Sequence, residues 1–229
     1  MSTEIPPARP EPGAATKLQI LATEHWSLLA TRSLTYTELI ARVNIFLAIL
    51  SGAVVSLALV AQVDRFGPTF IAVAIPVLLV VLFAGIATIS RLTALNRDDY
   101  RWVVGMNRLR RAYLDLQPEL EPYFITSPHD DLTGALQTLG IDRGMAMPRL
   151  GSLRHLSNTL PGMLSVIVAA VAAAIVALVA LAFALPSVGV GILAAAGFVA
   201  AQLLMGLWNR RSVMTTSTSL EPRFPTPNG

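Results

Sequence analysis

The stretch His129-Asp130-Asp131 is the densest group of candidate ligands and proton carriers in this chain. An imidazole beside two carboxylates is donor chemistry for a divalent metal, or for general acid–base work. No other His, Cys or carboxylate spacing completes a metal set. Two acidic residues opening a helix also favour the positive end of its dipole. That second reading is preferred, with Ser127 or Asp130 capping a short helix that Gly140 ends. His25 and His155 stand singly on amphipathic segments and read as packed or interfacial. The Arg108–Arg111 run, Arg-Leu-Arg-Arg, is phosphate-binding chemistry in other settings and here reads as a solvated helix face. Cysteine is absent, which removes thiolate metal sites, disulfides and a cysteine nucleophile. No Gly-rich phosphate loop, Ser/His/Asp pattern or HExxH motif is present. The expectation is a protein without enzymatic activity, cofactor or metal, and with no identifiable small-molecule ligand.

The elements that carry these residues are dominated by lipid-compatible runs. The chain has 229 residues, 54% hydrophobic and 14% charged, with mean hydropathy +0.61. That balance is too apolar for an ordinary soluble domain. Four segments meet the criterion of about 20 apolar residues for a bilayer core about 30 Å thick. They are Val43–Val63, Phe70–Ile89, Met163–Leu185 and Val188–Trp208, and none contains Asp, Glu, Lys, Arg or His. The connections Asp64–Thr69 and Pro186–Ser187 are short and contain turn-forming Pro, so the spans pair as two helical hairpins. The first 42 residues carry charges of both signs and no short apolar core with a cleavage site, so the first span is expected to act as a signal anchor.

Arginine placement predicts the orientation. Of 17 Lys and Arg residues only Arg65 lies in a hairpin turn. The positive-inside rule then predicts a bacterial cytoplasmic-membrane protein, multi-pass, with both termini in the cytoplasm. A single lysine, Lys17, among these basic residues is an Arg bias typical of GC-rich bacterial genomes. Because 13 of the 14 acidic residues fall on the same side, no net basic surface is left for nucleic acid.

The second span runs without Gly, Pro or turn cluster into charged sequence. Leu92, Leu95, Asp99, Trp102, Met106, Leu109, Tyr113 and Leu116 alternate at spacings of three and four, a coiled-coil-like seam that Pro118 ends. The helix is thus expected to project about 40 Å beyond the bilayer. Thr16–Arg42, free of Gly and Pro, should likewise run unbroken into the first span. It carries one stripe of Trp26, Leu29, Ser33, Tyr36, Ile40 and Val43, and a second of Leu18, Leu21, His25, Leu28 and Leu39. The two extensions are expected to pair antiparallel as a cytoplasmic stalk. Trp26, Leu29, Tyr36, Ile40, Trp102, Met106, Leu109 and Tyr113 are its candidate interface. The second stripe is expected to remain uncovered and to need Asp130–Leu139 or a second subunit.

Within the first span Asn44, Ser51 and Gln62 share one angular position. They suit hydrogen bonding between helices or, alternatively, the lining of an oligomeric pore. Ala48, Gly52 and Ser56 form a small-residue ridge, as do Gly191/Ala195 and Gly197/Ala201 in the fourth span. The absence of intramembrane charge excludes proton-coupled transport and voltage sensing.

The layout of "LLATRSLTYTELIARVNIFLAIL" through "NRDDYRWVVGMNRLRRAYLDL" resembles a family of bacterial integral membrane proteins. It is similar in plan to the SLATT group of two-span proteins, regarded as membrane effectors in bacterial conflict systems. The likeness covers about the first 117 residues, and the second hairpin lies outside it. What it implies is an effector-type role, with no functional residue carried over.

The expected fold is therefore all-α and polytopic, two transmembrane hairpins with a cytoplasmic antiparallel helical stalk. Residues 1–15 form a disordered tail, 16–117 the first hairpin with its extensions, and 118–160 a loop with a short helix. Residues 161–211 carry spans three and four, and 212–229 form a second disordered tail. The expected role is an interaction, scaffold or effector subunit. Its partners are the lipid bilayer and either a homo-oligomer or another membrane or cytoplasmic protein. The alternative is an oligomeric pore.

Overall fold

The computed structural model describes residues 13–140, 160–217 and 220–227, all helix, turn or irregular segment with no strand among them. Helix α1 is Ala14–Asp64 and α2 is Pro68–Leu116. A 3-10 turn follows at Pro118–Tyr123, then α3 at Leu132–Thr138, α4 at Leu160–Ala182 and α5 at Ser187–Ser217. Stretches within α1, α2, α4 and α5 are each long and apolar enough to cross a membrane. Within the expected loop of 118–160, residues 141–159, with His155, lie outside the described residues, as does the tail before Gly13.

α1 and α2 continue as single helices of 51 and 49 residues past the ends of their spans. The reason is the lack of any breaker between lipid-compatible and charged sequence. Pro76 is accommodated inside α2, in keeping with the tolerance of membrane helices for proline. The α1–α2 turn differs from a glycine-driven one. The left-handed residues are Arg65 (φ 43°) and Phe66 (φ 62°). Gly67 is needed for room instead, since a Cβ there would stand 2.9 Å from the Asp64 carbonyl oxygen. The Asp64 carboxylate caps α2 by accepting the Phe70 N–H at 2.6 Å, and Phe66 meets Phe70 edge to face.

The described residues divide into two compact units. The apolar unit comprises Leu34–Tyr100 and Asp142–Glu221 and holds the four candidate spans. Its core is built from Phe46, Val81, Leu92 and Val168 with their neighbours. Lipid removes most of the hydrophobic drive between helices, so close packing has to supply the association. Gly85 is where it does so. A Cβ at this position would stand 2.5 Å from Val168 Cγ2 and 3.0 Å from the Phe46 ring, so α1, α2 and α4 meet over a missing side chain. Gly197 plays the same part between α5 and Val176 of α4, at 3.0 Å. Its ridge partner Ala201 is half-buried, whereas Gly191, Ala195, Ala48, Gly52 and Ser56 are exposed, and a Cβ at Gly191 or Gly52 would meet nothing within 4 Å. Ser165, on α4, donates to the Gly162 carbonyl at 2.7 Å and to Gln202 Oε1 on α5 at 3.3 Å.

Beyond the expected first span, Glu38 accepts a two-pronged bond from Arg91, Nε at 2.9 Å and Nη2 at 3.0 Å, and a further one from Arg42 at 2.9 Å. The Arg91 contact, then Arg42, holds the Glu38 carboxyl down at about 2. A folded pKa below the ordinary value means the fork is intact above about 4.5 and is lost as pH falls from there toward about 2. A carbon-detected titration of Glu38 should give that low midpoint, and Arg91→Gln should move it up toward the ordinary carboxylate range. Both groups keep solvent contact, so the effect on stability is small.

Candidate functional site: a carboxylate corner that grips the carboxy-terminal segment

The polar unit comprises the chain up to Ser33, Arg101–Ile141 and the chain from Pro222. Within it α2 does not present a single seam. Val103, Val104, Met106, Asn107 and Arg110 are buried, while Trp102, Leu109 and Tyr113 are half-buried. α1 packs against α2 here through Leu28 beside Gly105 and His25 stacked on Tyr113 at 6.0 Å. Burial first, and the Arg110 charge second, push the His25 imidazole below its ordinary value.

These contacts reverse the expected roles of the two α1 stripes. Leu21, His25, Leu28 and Leu39 are the half-buried or buried positions, although Leu18 from that stripe is exposed. The uncovered residues are Trp26, Leu29, Tyr36 and Ile40, with Trp26 70% exposed. The cause is angular. At 100° per residue the inward positions of α1 cluster on an arc roughly 100° from the Trp26 stripe, and a helix can show only one arc to its neighbour. The polar contacts of Asp130–Leu139 go to α2 and to the segment at 223–226.

Asn107 organises this unit. It is fully buried; its Nδ2 donates to the His129 carbonyl at 2.7 Å. Its Oδ1 accepts Arg110 Nη1 at 2.6 Å and Thr138 Oγ1 at 2.9 Å. One amide thus ties α2 to the loop before α3 and to the end of α3. Gly134 leaves space for that loop, because a Cβ there would collide with the His129 carbonyl. The helix cap is Asp131, accepting the Gly134 N–H at 2.9 Å, and not Ser127 or Asp130. Ser127 Oγ accepts the His129 N–H instead.

Asp130 has a different task. It is 2% exposed and receives three donors: Arg108 Nε at 2.7 Å, the Arg223 N–H at 2.9 Å and the Phe224 N–H at 2.7 Å. Its own N–H donates to the Phe224 carbonyl at 3.2 Å. Thr226 Oγ1 donates to Asp131 at 2.8 Å, and the Arg111 guanidinium lies 6.0 Å over the Phe224 ring. Burial pushes the Asp130 carboxyl up, but the two backbone N–H groups and Arg108 outweigh it and hold it below the usual range. Asp131 is lowered likewise, burial being outweighed by Gly134 and Thr226.

The expectation of a disordered tail therefore does not describe 220–227, where a bent segment is fixed by backbone bonds to a buried acid. Nor is Arg108–Arg111 a solvated face. Arg108 pairs with Asp130, Arg110 is 8% exposed and bonded to Asn107, and Arg111 meets both Asp115 and Phe224. Chemically the corner recognises peptide backbone. A carboxylate carrying three donors has little acceptor capacity left for proton transfer. Among the described residues no group of three or more His, Cys, Asp or Glu side chains is placed to hold a metal.

Sequence reasoning did not find Asn107, Arg223, Phe224 or Thr226, and no spacing signal marks them. It also passed over Ser165 and Gln202, which could have been found: each is the one hydroxyl or amide side chain of its expected span. Asn44, Ser51 and Gln62 are all exposed. No protein-family model, no curated protein and no solved structure matches this chain.

Proposed function

We propose that this is a non-enzymatic integral protein of a bacterial cytoplasmic membrane, with both termini inside. In this reading it serves as an interaction, scaffold or effector subunit, and α1 and α2 extend into the cytoplasm as a helical stalk. The observation that carries it is the exposure of Trp26, Leu29, Tyr36 and Ile40 on one arc of α1. Scattered apolar residues are ordinary on a surface, but an aligned set that includes a tryptophan and a tyrosine is the composition of an interface anchor. The orientation rests on the basic residues, 16 of the 17 lying outside the two hairpin turns.

The test is particle mass in mild detergent, with and without Trp26→Glu and Leu29→Lys. The native protein should run as an oligomer or co-purify with a stoichiometric partner. Loss of a tryptophan anchor, at about 2 kcal/mol or more, should weaken that association at least 30-fold. A native protein that is monomeric and partner-free at every concentration overturns the reading.

A second reading is an oligomeric pore. It is favoured by the exposure of Asn44, Ser51 and Gln62 at one angular position of α1, where polar side chains facing lipid alone would be costly. Reconstituted liposomes should then conduct, and Gln62→Leu should lower conductance severalfold. Silent bilayers at all protein-to-lipid ratios remove it.

A further inference from the structure

We propose that the Asp130–Asp131 corner is a peptide-recognition site whose resident ligand is the chain's own Arg223–Thr226 segment, held in a form that a competing peptide of the same chemistry can displace. This rests on the packing of the polar unit and is independent of the helix-face reading above.

Recognition of this kind needs an acceptor for the peptide backbone and selective contacts for its side chains. Both are present. The Asp130 carboxylate takes the consecutive N–H groups of Arg223 and Phe224, one on each oxygen, and the Asp130 N–H returns a bond to the Phe224 carbonyl. Consecutive N–H groups reach one carboxylate only where the backbone bends, and the chain bends at Arg223 and Phe224, so this reciprocal set fixes the direction and register of a bent segment. Pro225 has no N–H to satisfy, which suits the position where the backbone bonds to Asp130 end. Selectivity comes from the Arg111 guanidinium over the Phe224 ring and from Asp131 accepting the Thr226 hydroxyl. The ligand class is therefore a peptide able to bend at two consecutive residues with free N–H groups, followed by a proline and a hydroxyl and carrying an aromatic ring on the second of those residues.

The receptor half is built without the tail. Arg108 sits on Asp130, Asn107 holds the His129 carbonyl, and Asp131 caps α3 through Gly134. Every one of these bonds lies within residues 107–134. The tail contributes backbone and two side-chain contacts to an acid that is already positioned. A segment held this way leaves without dismantling its receptor. Receptor and segment belong to one chain, so binding is intramolecular, with an effective tether concentration on the order of millimolar.

The test uses the full chain, which lacks cysteine, so that Asn228→Cys gives a single site for a fluorophore on the tail. Fluorescence anisotropy should be high in the native background. A free peptide of sequence Leu220–Gly229 should lower it toward the free-tail value, half-way at about 1 mM as the tether concentration requires. The same peptide carrying alanine at the Phe224 position should need at least tenfold more. Phe224→Pro in the chain removes the shortest backbone donor without touching the receptor, and should give the low anisotropy with no response to peptide. The proposal is overturned if the native tail already tumbles like the Phe224→Pro tail. It is equally overturned if 10-fold excess over the tether concentration leaves the native signal unchanged, or if the alanine peptide competes as well as the native one.

Discussion

Asp130→Ala is expected to destabilise the polar unit by about 3 kcal/mol, at the low end for breaking a buried ion pair. Removing the carboxylate strands Arg108, whose side chain is 29% exposed and so recovers only part of its hydration. It also releases the Arg223 and Phe224 N–H groups, which return to water once the tail departs. Two measurements check this: a lowered unfolding midpoint in detergent, and cleavage of the tail by a protease that leaves the native chain intact. Asp130→Asn should not rescue, since its amide would place an N–H donor where donors already converge. The pH sign follows from the depressed carboxyl. The stabilisation is complete above the unfolded value near 3.8 and is lost as pH falls through the lower folded value. Acid should therefore free the tail only below about pH 4, while neutral to mildly acidic changes leave it docked.

Gly85→Ala is the second large effect, on the apolar unit. Real Cβ atoms do not approach carbon to 2.5 Å, the separation a methyl here would have from Val168 Cγ2. α2 would have to move away from α4, or Val168 and Phe46 would have to leave their rotamers, at a cost of about 1–3 kcal/mol. Gly85→Leu should cost more. Adding Val168→Ala to Gly85→Ala removes the worst contact, so the pair should be less damaged than the single changes predict, a coupling readable in a double-mutant cycle. Gly52→Ala is the internal comparison. Nothing lies within 4 Å of its Cβ position, and its effect should stay within about 0.5 kcal/mol. Equal losses at Gly52 and Gly85 would refute the packing account.

The two predictions sit on opposite sides of what the sequence makes legible. The apolar runs, their tight turns and the unbroken passage of α1 and α2 into charged sequence are all readable by eye, because they depend on local composition and the absence of breakers. The inward face of α1 was not readable. Trp26–Ile40 and Leu21–Leu39 are both apolar arcs at three–four spacing, and only the neighbour's position decides which is covered. Small residues show the same ambiguity. Gly197 meets Val176 while Gly191 and Gly52 meet nothing, although all three sit in similar sequence. Gly85, a closer approach than that of Gly197, lies in no small-xxx-small pattern that would mark it.

By itself the sequence determined an all-helical chain with four spans' worth of lipid-compatible helix, since hydropathy and helix continuity are properties of neighbouring residues. Only the tertiary structure decided that Asp130 is an anchor and Asp131 the cap, or that a Pro-rich tail is held by backbone bonds some 90 residues away in sequence. Those assignments turn on which donor reaches a carboxylate first in three dimensions, and no local pattern encodes that distance.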